Sequence, residues 1–367
     1  MSNAYALTAP RRVTRKIQVG SVAVGGDAMI SVQSMTNTDT RNVEATLTQI
    51  LALAEAGADM VRVSCPDEDA AWAMGPLCAG SPVPLIADIH FDHRLALIAL
   101  DRGVAGLRLN PGNIGSVARV AEVAQAARER RVPIRIGVNA GSLERDVLAR
   151  HGEPCAAAMV ESAMNHIRIL EDLDYPEIKV SLKASNAAMT VAAYRMLAVR
   201  TDYPLHLGIT EAGGLIPGTV KSSVGLGLLL AEGLGDTLRV SLSADPVQEV
   251  RVGFEILKAL GLRNRGVTII ACPTCSRQEF PVIEVTARLE ERLAHIRESV
   301  TLSIIGCVVN GPGEAKESQL GIVGGGGENL LYLGGKPVGK VPDVQVVDRL
   351  VQEVETLIAR QKDLGGR

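Results

Sequence analysis

The chain has 367 residues, of which 47% are hydrophobic and only 2% aromatic. Its 38 basic and 41 acidic side chains give a net charge of −3. Few aromatics and a slightly negative charge argue against a nucleic-acid-binding or acidic-membrane-binding protein. We see no signal peptide and no apolar run of about 18 residues, so we expect a cytoplasmic protein that does not span a membrane. In that reducing compartment, cysteines bind metals or pack in the core.

Short β-like runs alternate with helical stretches along the first two thirds of the chain. A hairpin is predicted over residues 16–26. The strands predicted after it are Ile30–Met35, Met60–Cys65, Pro84–His90, Gly106–Asn110, Pro133–Asn139, Ile178–Lys183, Pro204–Thr210 and Leu238–Ser243. The segments between them carry apolar residues at helical spacing. Eight such strand–helix units predict a parallel (β/α)₈ TIM barrel over residues 1–264.

Residues 265–367 are predicted to form a smaller α/β domain. The predicted elements are the strands Val267–Ile270 and Val300–Ile305, the helices Val282–Ile296 and Val346–Arg360, and a hairpin of Leu320–Val323 with Leu330–Leu333. The glycine run at 324–327 lacks the lysine of a phosphate-binding P-loop and has no helix opening after it. We therefore interpret it as a plain turn.

The predicted barrel interior is cationic. Side chains alternate along a strand, and in each run one set is apolar and suits the helix layer. The other set faces inward and contains the cations Arg62, Arg108, Arg135, Lys179, Lys183 and Arg239 with one acid, Asp88. Unpaired buried charge is costly, and arginine forks suit phosphate oxygens. The interior therefore predicts a phosphate or diphosphate site, although Lys179, low on its strand, equally suits an ion pair at the closed end.

Three cysteines follow the two predicted strands of the second domain. Cys272 and Cys275 lie three positions apart, and Cys307 precedes the run Asn310-Gly-Pro-Gly-Glu314. Thiolates select zinc, copper(I) or iron–sulfur clusters. Three cysteines leave one iron of a cubane free for another ligand, whereas zinc would need a fourth protein ligand. The spacing favours a cluster but leaves zinc and an inert or redox thiol pair open.

The predicted topology also suggests an oligomer. The last barrel helix runs against the strands, so it delivers the chain to the face opposite the strand carboxyl ends, where barrel active sites lie. If the cysteine domain and the anion site act together, the simplest arrangement is a two-fold homodimer. Each cysteine domain would then cap the barrel of its partner.

Seven motifs carry a family resemblance. They are Ser34–Thr38, Ala87–His90, Arg108–Gly112, Ile134–Ser142, Gly208–Gly213, Ala271–Cys275 and Gly306–Glu314. Together they resemble the 4-hydroxy-3-methylbut-2-en-1-yl diphosphate synthase family of the non-mevalonate isoprenoid pathway. The absence of an inserted domain between barrel and cysteine domain is typical of its shorter bacterial form.

The resemblance implies a [4Fe-4S] cluster held by Cys272, Cys275 and Cys307, with Glu314 as the fourth ligand and Glu317 as its rival. It implies an iron–sulfur oxidoreductase that opens 2-C-methyl-D-erythritol 2,4-cyclodiphosphate reductively to (E)-4-hydroxy-3-methylbut-2-enyl diphosphate. Two electrons arrive one at a time from flavodoxin or ferredoxin.

The resemblance also implies roles for individual residues. The diphosphate would be held by Arg62, Arg108, Arg135, Lys183, Arg239 and Ser241. The remainder of the substrate would be oriented by Asp88, His90, Asn110, Asn139 and Thr210, with Asp88 and His90 counted as catalytic beside Glu314. Glu211 would be the acid–base residue, unless it caps a helix or forms a salt bridge. Asn310 would fix the cluster loop or touch the substrate.

Two alternative functions belong to different classes. Lys183 ends a barrel strand, which suits a Schiff-base aldolase acting on a phosphorylated substrate, but that hypothesis leaves the three cysteines unexplained. A non-enzymatic iron–sulfur sensor or carrier would not need the inward cations.

Overall fold

The computed structural model describes residues 7–273 and 275–365, which divide into two compact units at Arg263 and Asn264. The strands of the first unit are β1 (Ile17–Val19), β2 (Val22–Val24), β3 (Ser31–Met35), β4 (Met60–Ser64), β5 (Leu85–Asp88), β6 (Gly106–Arg108), β7 (Ile134–Asn139), β8 (Ile178–Lys183), β9 (His206–Leu207) and β10 (Thr237–Leu238). Its helices are α1 (Val43–Ala56), α2 (Glu68–Gly80), α3 (His93–Asp101), α4 (Val117–Arg130), α5 (Arg145–His151), α6 (Ala156–Glu171), α7 (Ala187–Ala198), α8 (Leu215–Ala231) and α9 (Pro246–Ala259).

Strands β3 to β10 form one parallel eight-stranded sheet in the order β8-β7-β6-β5-β4-β3-β10-β9. A single parallel bridge between Val180 of β8 and Leu205, the residue before β9, brings the two ends of the sheet together into a nearly closed barrel. The predicted TIM barrel is therefore confirmed. The last two strands are only two residues long, shorter than the predicted runs 204–210 and 238–243. The residues that follow them are loops, and Thr210 and Ser241 in these loops line the cavity at the barrel mouth.

An apolar plug closes the amino-terminal end of the barrel. The hairpin of β1 and β2 buries Ile17, Val19 and Val24 against Met60 and Ile86 of the barrel strands. The wall outside the strands is a continuous aliphatic core, in keeping with the near absence of aromatic residues. With one end plugged, ligands reach the polar interior from the carboxyl ends of the strands.

The second unit is a five-stranded mixed sheet covered by helices. Its elements are β11 (Val267–Ala271), α10 (Val282–Arg292), β12 (Val300–Ile305), α11 (Gly311–Glu317), β13 (Leu320–Val323), β14 (Glu328–Leu333), β15 (Lys336–Pro342) and α12 (Val346–Gly365). Strands β11, β12 and β13 are parallel, and β13, β14 and β15 are antiparallel. No helix in residues 7–273 and 275–365 combines the length and apolar character needed to cross a membrane.

Two elements of this unit were not predicted, and one helix is shorter than predicted. The run Gly311-Pro312-Gly313 favours a turn, yet it opens α11, because proline is well tolerated in the first turn of a helix. Strand β15 is an exposed edge strand without apolar alternation, so the sequence carries little indication of it. Helix α10 ends at Arg292 rather than at Ile296.

Candidate active site

The carboxyl ends of the barrel strands surround a cavity of about 190 Å³. Its lining is Arg62, Asp88, His90, Arg108, Arg135, Gly137, Val138, Asn139, Ser181, Lys183, Thr210, Arg239 and Ser241. Ten of the site residues predicted from the sequence are in this set. Asn110 and Glu211 are not in it, and the remaining predicted residues belong to the second unit.

Asp88 anchors one side of the cavity. Its carboxylate lies 3.3 Å from Arg62 Nη1, 3.2 Å from Arg108 Nη1 and 3.8 Å from His90 Nε2. Burial alone would raise the pKa of Asp88, but the charges of Arg62 and Arg108 outweigh it and hold the pKa below its usual value. Asp88 is thus an anion that fixes the two guanidinium groups at the cavity wall.

Gly137 makes room for Arg108. A Cβ atom on Gly137 would lie 2.5 Å from Arg108 Nε, and the Gly137 carbonyl accepts from Arg108 Nη2 at 2.9 Å. Asn110 donates to the same carbonyl at 3.1 Å and accepts from the Gly137 N–H at 2.8 Å. Both the oxygen and the nitrogen of the Asn110 side-chain amide are therefore hydrogen-bonded to the Gly137 backbone. Asn110 thus stabilises the backbone of the cavity wall and is not part of the cavity lining.

Glu249, a residue missed by the sequence analysis, holds Arg239. The Arg239 Nε and Nη2 atoms donate to its carboxylate at 3.1 and 3.0 Å. The same carboxylate accepts from Ser34 Oγ at 3.3 Å and from the Leu242 N–H at 3.0 Å. Glu249 is 3% exposed and lies on α9, so the expectation that Asp88 is the one acid facing these cations is wrong. The sequence did contain a sign of this role, because Glu249 is a charged residue on the otherwise apolar, buried face of that helix.

Arg135 and Lys183 line the cavity without a carboxylate partner among the described residues. Arg135 Nη1 donates to Ser181 Oγ at 2.6 Å, but its Nε and Nη2 atoms have no partner among the described residues. Lys183 keeps some surface open to the cavity. Burial, together with the charges of Arg135 and Arg239, holds the pKa of Lys183 well below its ordinary value. Positive charge without a partner carboxylate at this position is suited to an anionic ligand.

The charge balance supports a multiply anionic ligand. Five cations line the cavity, namely Arg62, Arg108, Arg135, Lys183 and Arg239. Two carboxylates, Asp88 and Glu249, are paired with members of that set. With every cation protonated, five positive charges against two negative ones leave an excess of three. Arginine and lysine at this density suit phosphate oxygens.

A buried polar layer lies between the cavity and the plug. Lys179 is 2% exposed, and within the described chain the one hydrogen-bond partner of its Nζ atom is Met60 Sδ, at 3.9 Å. Burial and the charge of Arg135 lower the pKa of Lys179 to about 7. No carboxylate among the described residues lies within ion-pair distance of it, so the predicted alternative of an ion pair at the closed end is wrong. His206 is equally enclosed, and neither ring nitrogen has a hydrogen-bond partner in the described chain.

Glu211 lies just outside the cavity lining. It follows Thr210, is exposed, and adopts the left-handed backbone conformation with φ at 51°. This conformation is uncommon for a residue other than glycine and recurs at functional sites. The side chain therefore lies next to the cavity mouth, open to solvent.

The second unit brings two of the three predicted cysteine ligands to neighbouring strand ends. Cys272 follows β11 and Cys307 lies two residues beyond β12, its parallel neighbour. The Gly306 N–H donates to Cys272 Sγ at 3.2 Å, and hydrogen bonds of this kind tune iron–sulfur clusters. Cys275 is exposed in the turn that follows β11, and all three thiols are free.

The carboxylates offered as fourth ligands lie on α11. Glu314 is in its first turn and Glu317 at its end, both exposed, and Asn310 immediately precedes the helix. Within residues 7–273 and 275–365, no three His, Cys, Asp or Glu side chains are close enough to hold a single metal ion. A cubane distributes its ligands over four irons, so its ligands lie further apart than those of one ion. Three cysteine thiols, one of which accepts a backbone N–H, match the thiolate ligands that hold iron–sulfur clusters.

The fold and the two sites define the class of protein: a TIM barrel with a cationic cavity, joined to a domain with three free thiols near the ends of parallel strands. Residues 14–254 match the family model of the GcpE TIM-barrel domain, and residues 268–356 match that of the GcpE protein C-terminal domain. The chain belongs to the GcpE family.

Curated relatives match the chain over nearly its whole length. A protein of Magnetococcus marinus is 70% identical over 362 residues, covering 99% of this chain and 98% of the relative. A protein of Geobacter sulfurreducens is 60% identical and covers 95% and 99%, respectively. Both are named 4-hydroxy-3-methylbut-2-en-1-yl diphosphate synthase (flavodoxin).

Proposed function

We propose that this chain catalyses the reductive ring opening and dehydroxylation of 2-C-methyl-D-erythritol 2,4-cyclodiphosphate. Two electrons and two protons enter, one water leaves, and (E)-4-hydroxy-3-methylbut-2-enyl diphosphate is formed. The names of the relatives support this reaction and support neither the aldolase nor the carrier hypothesis. The observation that carries the proposal is the cavity, whose surplus of cations is suited to a diphosphate.

The barrel residues hold and orient the substrate. The guanidinium groups of Arg62 and Arg108, fixed by Asp88, bind one side of the diphosphate, and Arg239, fixed by Glu249, binds another. Because these arginines are already held by carboxylates, little side-chain freedom is lost on binding.

The floor and rim of the cavity complete the substrate site. Arg135 and Lys183, which have no carboxylate partner among the described residues, add positive charge for the diphosphate. His90, Asn139, Thr210 and Ser241 complete the wall around the carbon skeleton. Glu211, open to solvent at the rim, exchanges a proton with the substrate hydroxyls.

The cysteine unit would hold the redox cofactor. Cys272, Cys275 and Cys307 would hold a [4Fe-4S] cluster, with the Glu314 carboxylate as the fourth ligand. When bound, this group delivers electrons singly and offers one iron as a Lewis acid. The Gly306 N–H donates to the Cys272 sulfur, and Asn310 lies at the start of α11, beside the Cys307 loop. Flavodoxin, or a ferredoxin, would be the electron donor in the cytoplasm.

A two-fold homodimer would bring the two chemistries together. Helix α9 runs against the barrel strands, so it leads the chain away from the cavity mouth. We infer that each cysteine unit caps the barrel of its partner. Mixing an Arg135→Met chain with a Cys307→Ser chain should restore about a quarter of wild-type activity, because half of the dimers are mixed and each has one intact site. Mixtures as inactive as their components would contradict this arrangement.

The test of the function begins with cluster content. The chain is purified without air, its iron and sulfide are measured, and the cyclodiphosphate is assayed with reduced flavodoxin. We expect about four irons per chain and formation of the linear diphosphate. Cys307→Ser should lose iron and activity, whereas Cys78→Ser, which changes a cysteine outside the motif, should retain both. An iron-loaded, reducible chain that leaves the cyclodiphosphate unchanged would overturn the proposal.

A further inference from the structure

A second thiol site lies on the outside of the barrel, between α5 and α6. Cys155 is the N-cap residue of α6, where its sulfur accepts from the Ala158 N–H at 3.5 Å. The same sulfur lies 3.8 Å from Nδ1 of His151, the last residue of α5. A thiol between a helix N-terminus and an imidazole has the surroundings of a reactive cysteine.

A carboxylate orients the imidazole toward this thiol. His151 Nε2 lies 2.7 Å from Glu161 Oε2, and Arg150 holds the other oxygen of Glu161 at 2.7 Å. Hydrogen bonds from His151 and Arg150 keep the pKa of Glu161 below its usual value, so Glu161 is an anion that accepts from Nε2–H. The Nδ1 lone pair then faces the Cys155 thiol. Nucleophile, base and orienting carboxylate stand in the order that activated thiols require.

The two other cysteines outside the cluster motif lack these features. Burial raises the pKa of Cys65 to about 12 and that of Cys78 to about 11. Neither has a histidine beside its sulfur among the described residues. The chain therefore contains its own unreactive reference thiols.

A cavity of about 490 Å³ opens beside the histidine and is lined by His151, Glu161, Arg168 and Arg200, among others. Arg168 and Arg200 are exposed, and neither guanidinium forms an ion pair with a described residue. A cavity with two free guanidinium groups at the edge of a thiol site suits a small ligand that carries carboxylates.

We propose that Cys155 is a modification site, a reactive thiol that exchanges with low-molecular-weight disulfides bearing carboxylates. His151 takes the thiol proton, and the Cys155 sulfur attacks one sulfur of the disulfide. The S–S bond of the small molecule breaks as the protein mixed disulfide forms. The departing thiolate takes up the proton from His151 and leaves as a thiol, so atoms and electrons balance without a further oxidant. The site does not depend on the proposed barrel reaction.

The test is the rate of mixed-disulfide formation at each cysteine. The cluster-loaded full chain is incubated without air at pH 7 with glutathione disulfide, digested, and quantified peptide by peptide. We expect Cys155 to react at least tenfold faster than Cys65 and Cys78. His151→Gln and Glu161→Gln should each slow Cys155 about tenfold, whereas His295→Gln, an exposed histidine of the second unit, should not.

A disulfide without carboxylates distinguishes the effect of the His151 base from the effect of the cavity arginines. Arg200→Gln should slow exchange with glutathione disulfide but leave the rate with bis(2-hydroxyethyl) disulfide unchanged. If Cys155 reacts no faster than Cys78, or if both His151→Gln and Glu161→Gln leave its rate unchanged, the proposal is wrong. The wild-type comparison among cysteines remains decisive even if one variant folds poorly.

Discussion

Binding of the cyclodiphosphate in the barrel cavity should take up a proton at Lys183. In the free chain, burial and the charges of Arg135 and Arg239 hold the pKa of Lys183 well below its ordinary value. Arginine keeps its proton in proteins, so Lys183 is the group that loses its proton in this cluster of cations. A diphosphate brought against the ammonium group favours the charged form and raises its pKa. Between the free and bound pKa values, binding is therefore accompanied by proton uptake.

Up to one proton per site is taken up within that window. By linkage, the affinity then falls up to about tenfold for each unit of rising pH within that window. The cyclodiphosphate has no ionisation near neutral pH, so its own titration does not contribute. Measurements at about pH 8.5 avoid the range in which histidines ordinarily titrate.

Calorimetry in two buffers measures this proton directly. Binding of the cyclodiphosphate to the oxidised, cluster-loaded chain is followed at one pH in Tris and in HEPES, whose ionisation enthalpies differ. The observed enthalpies should differ by the proton count times that difference. Lys183→Met should abolish the difference, and Lys336→Met, which removes an exposed lysine of the second unit, should preserve it. Equal enthalpies for the wild type, or a sign that indicates proton release, would refute the reasoning.

Three further changes test the site and its support. Burial lowers the pKa of Lys179 to about 7, so the unfolded chain binds more protons than the folded one and stability rises as pH increases from about 7 to about 10. Lys179→Met should stabilise the chain against urea at pH 7 by a few kcal/mol, on the order of 4, and flatten that pH dependence; a lower urea midpoint would contradict this. Glu249→Gln leaves Arg239 without its carboxylate, so we expect KM to rise at least tenfold and unfolding stability to fall by about 3 kcal/mol; an unchanged KM would mean that Arg239 does not bind the substrate. Gly137→Ala puts a Cβ 2.5 Å from Arg108 Nε, and the displaced guanidinium should lower kcat/KM about a hundredfold, with the fold checked by circular dichroism.

Much of the barrel site could be predicted from alternation alone. In β4 and β7, for example, Arg62 and Arg135 occupy the set opposite the apolar one, and both line the cavity. The rule works because the apolar side chains of each strand pack against the outer helices. The alternate side chains of the same strand must then face the barrel interior. The alternation rule is less reliable beyond the ends of the hydrogen-bonded strands. Thr210 and Ser241 lie on loops beyond two-residue strands, and Glu211 leaves the pattern through its left-handed backbone.

Alternation predicted one counter-charge, Asp88 on strand β5, but not the second, because Glu249 comes from a helix outside the strands. Glu249 reaches Arg239 from helix α9, and its partner is visible only once strand and helix are packed together. The predicted interior had six cations against one acid, and it included Lys179, which lies in the layer above the plug rather than at the cavity. The folded site has five cations and two carboxylates. The difference matters for chemistry: the two carboxylates fix the direction of three arginines, while Arg135 and Lys183 have no carboxylate partner among the described residues. The cavity thus combines arginines held in place with cations that lack a partner carboxylate, which favours binding one anion in one orientation.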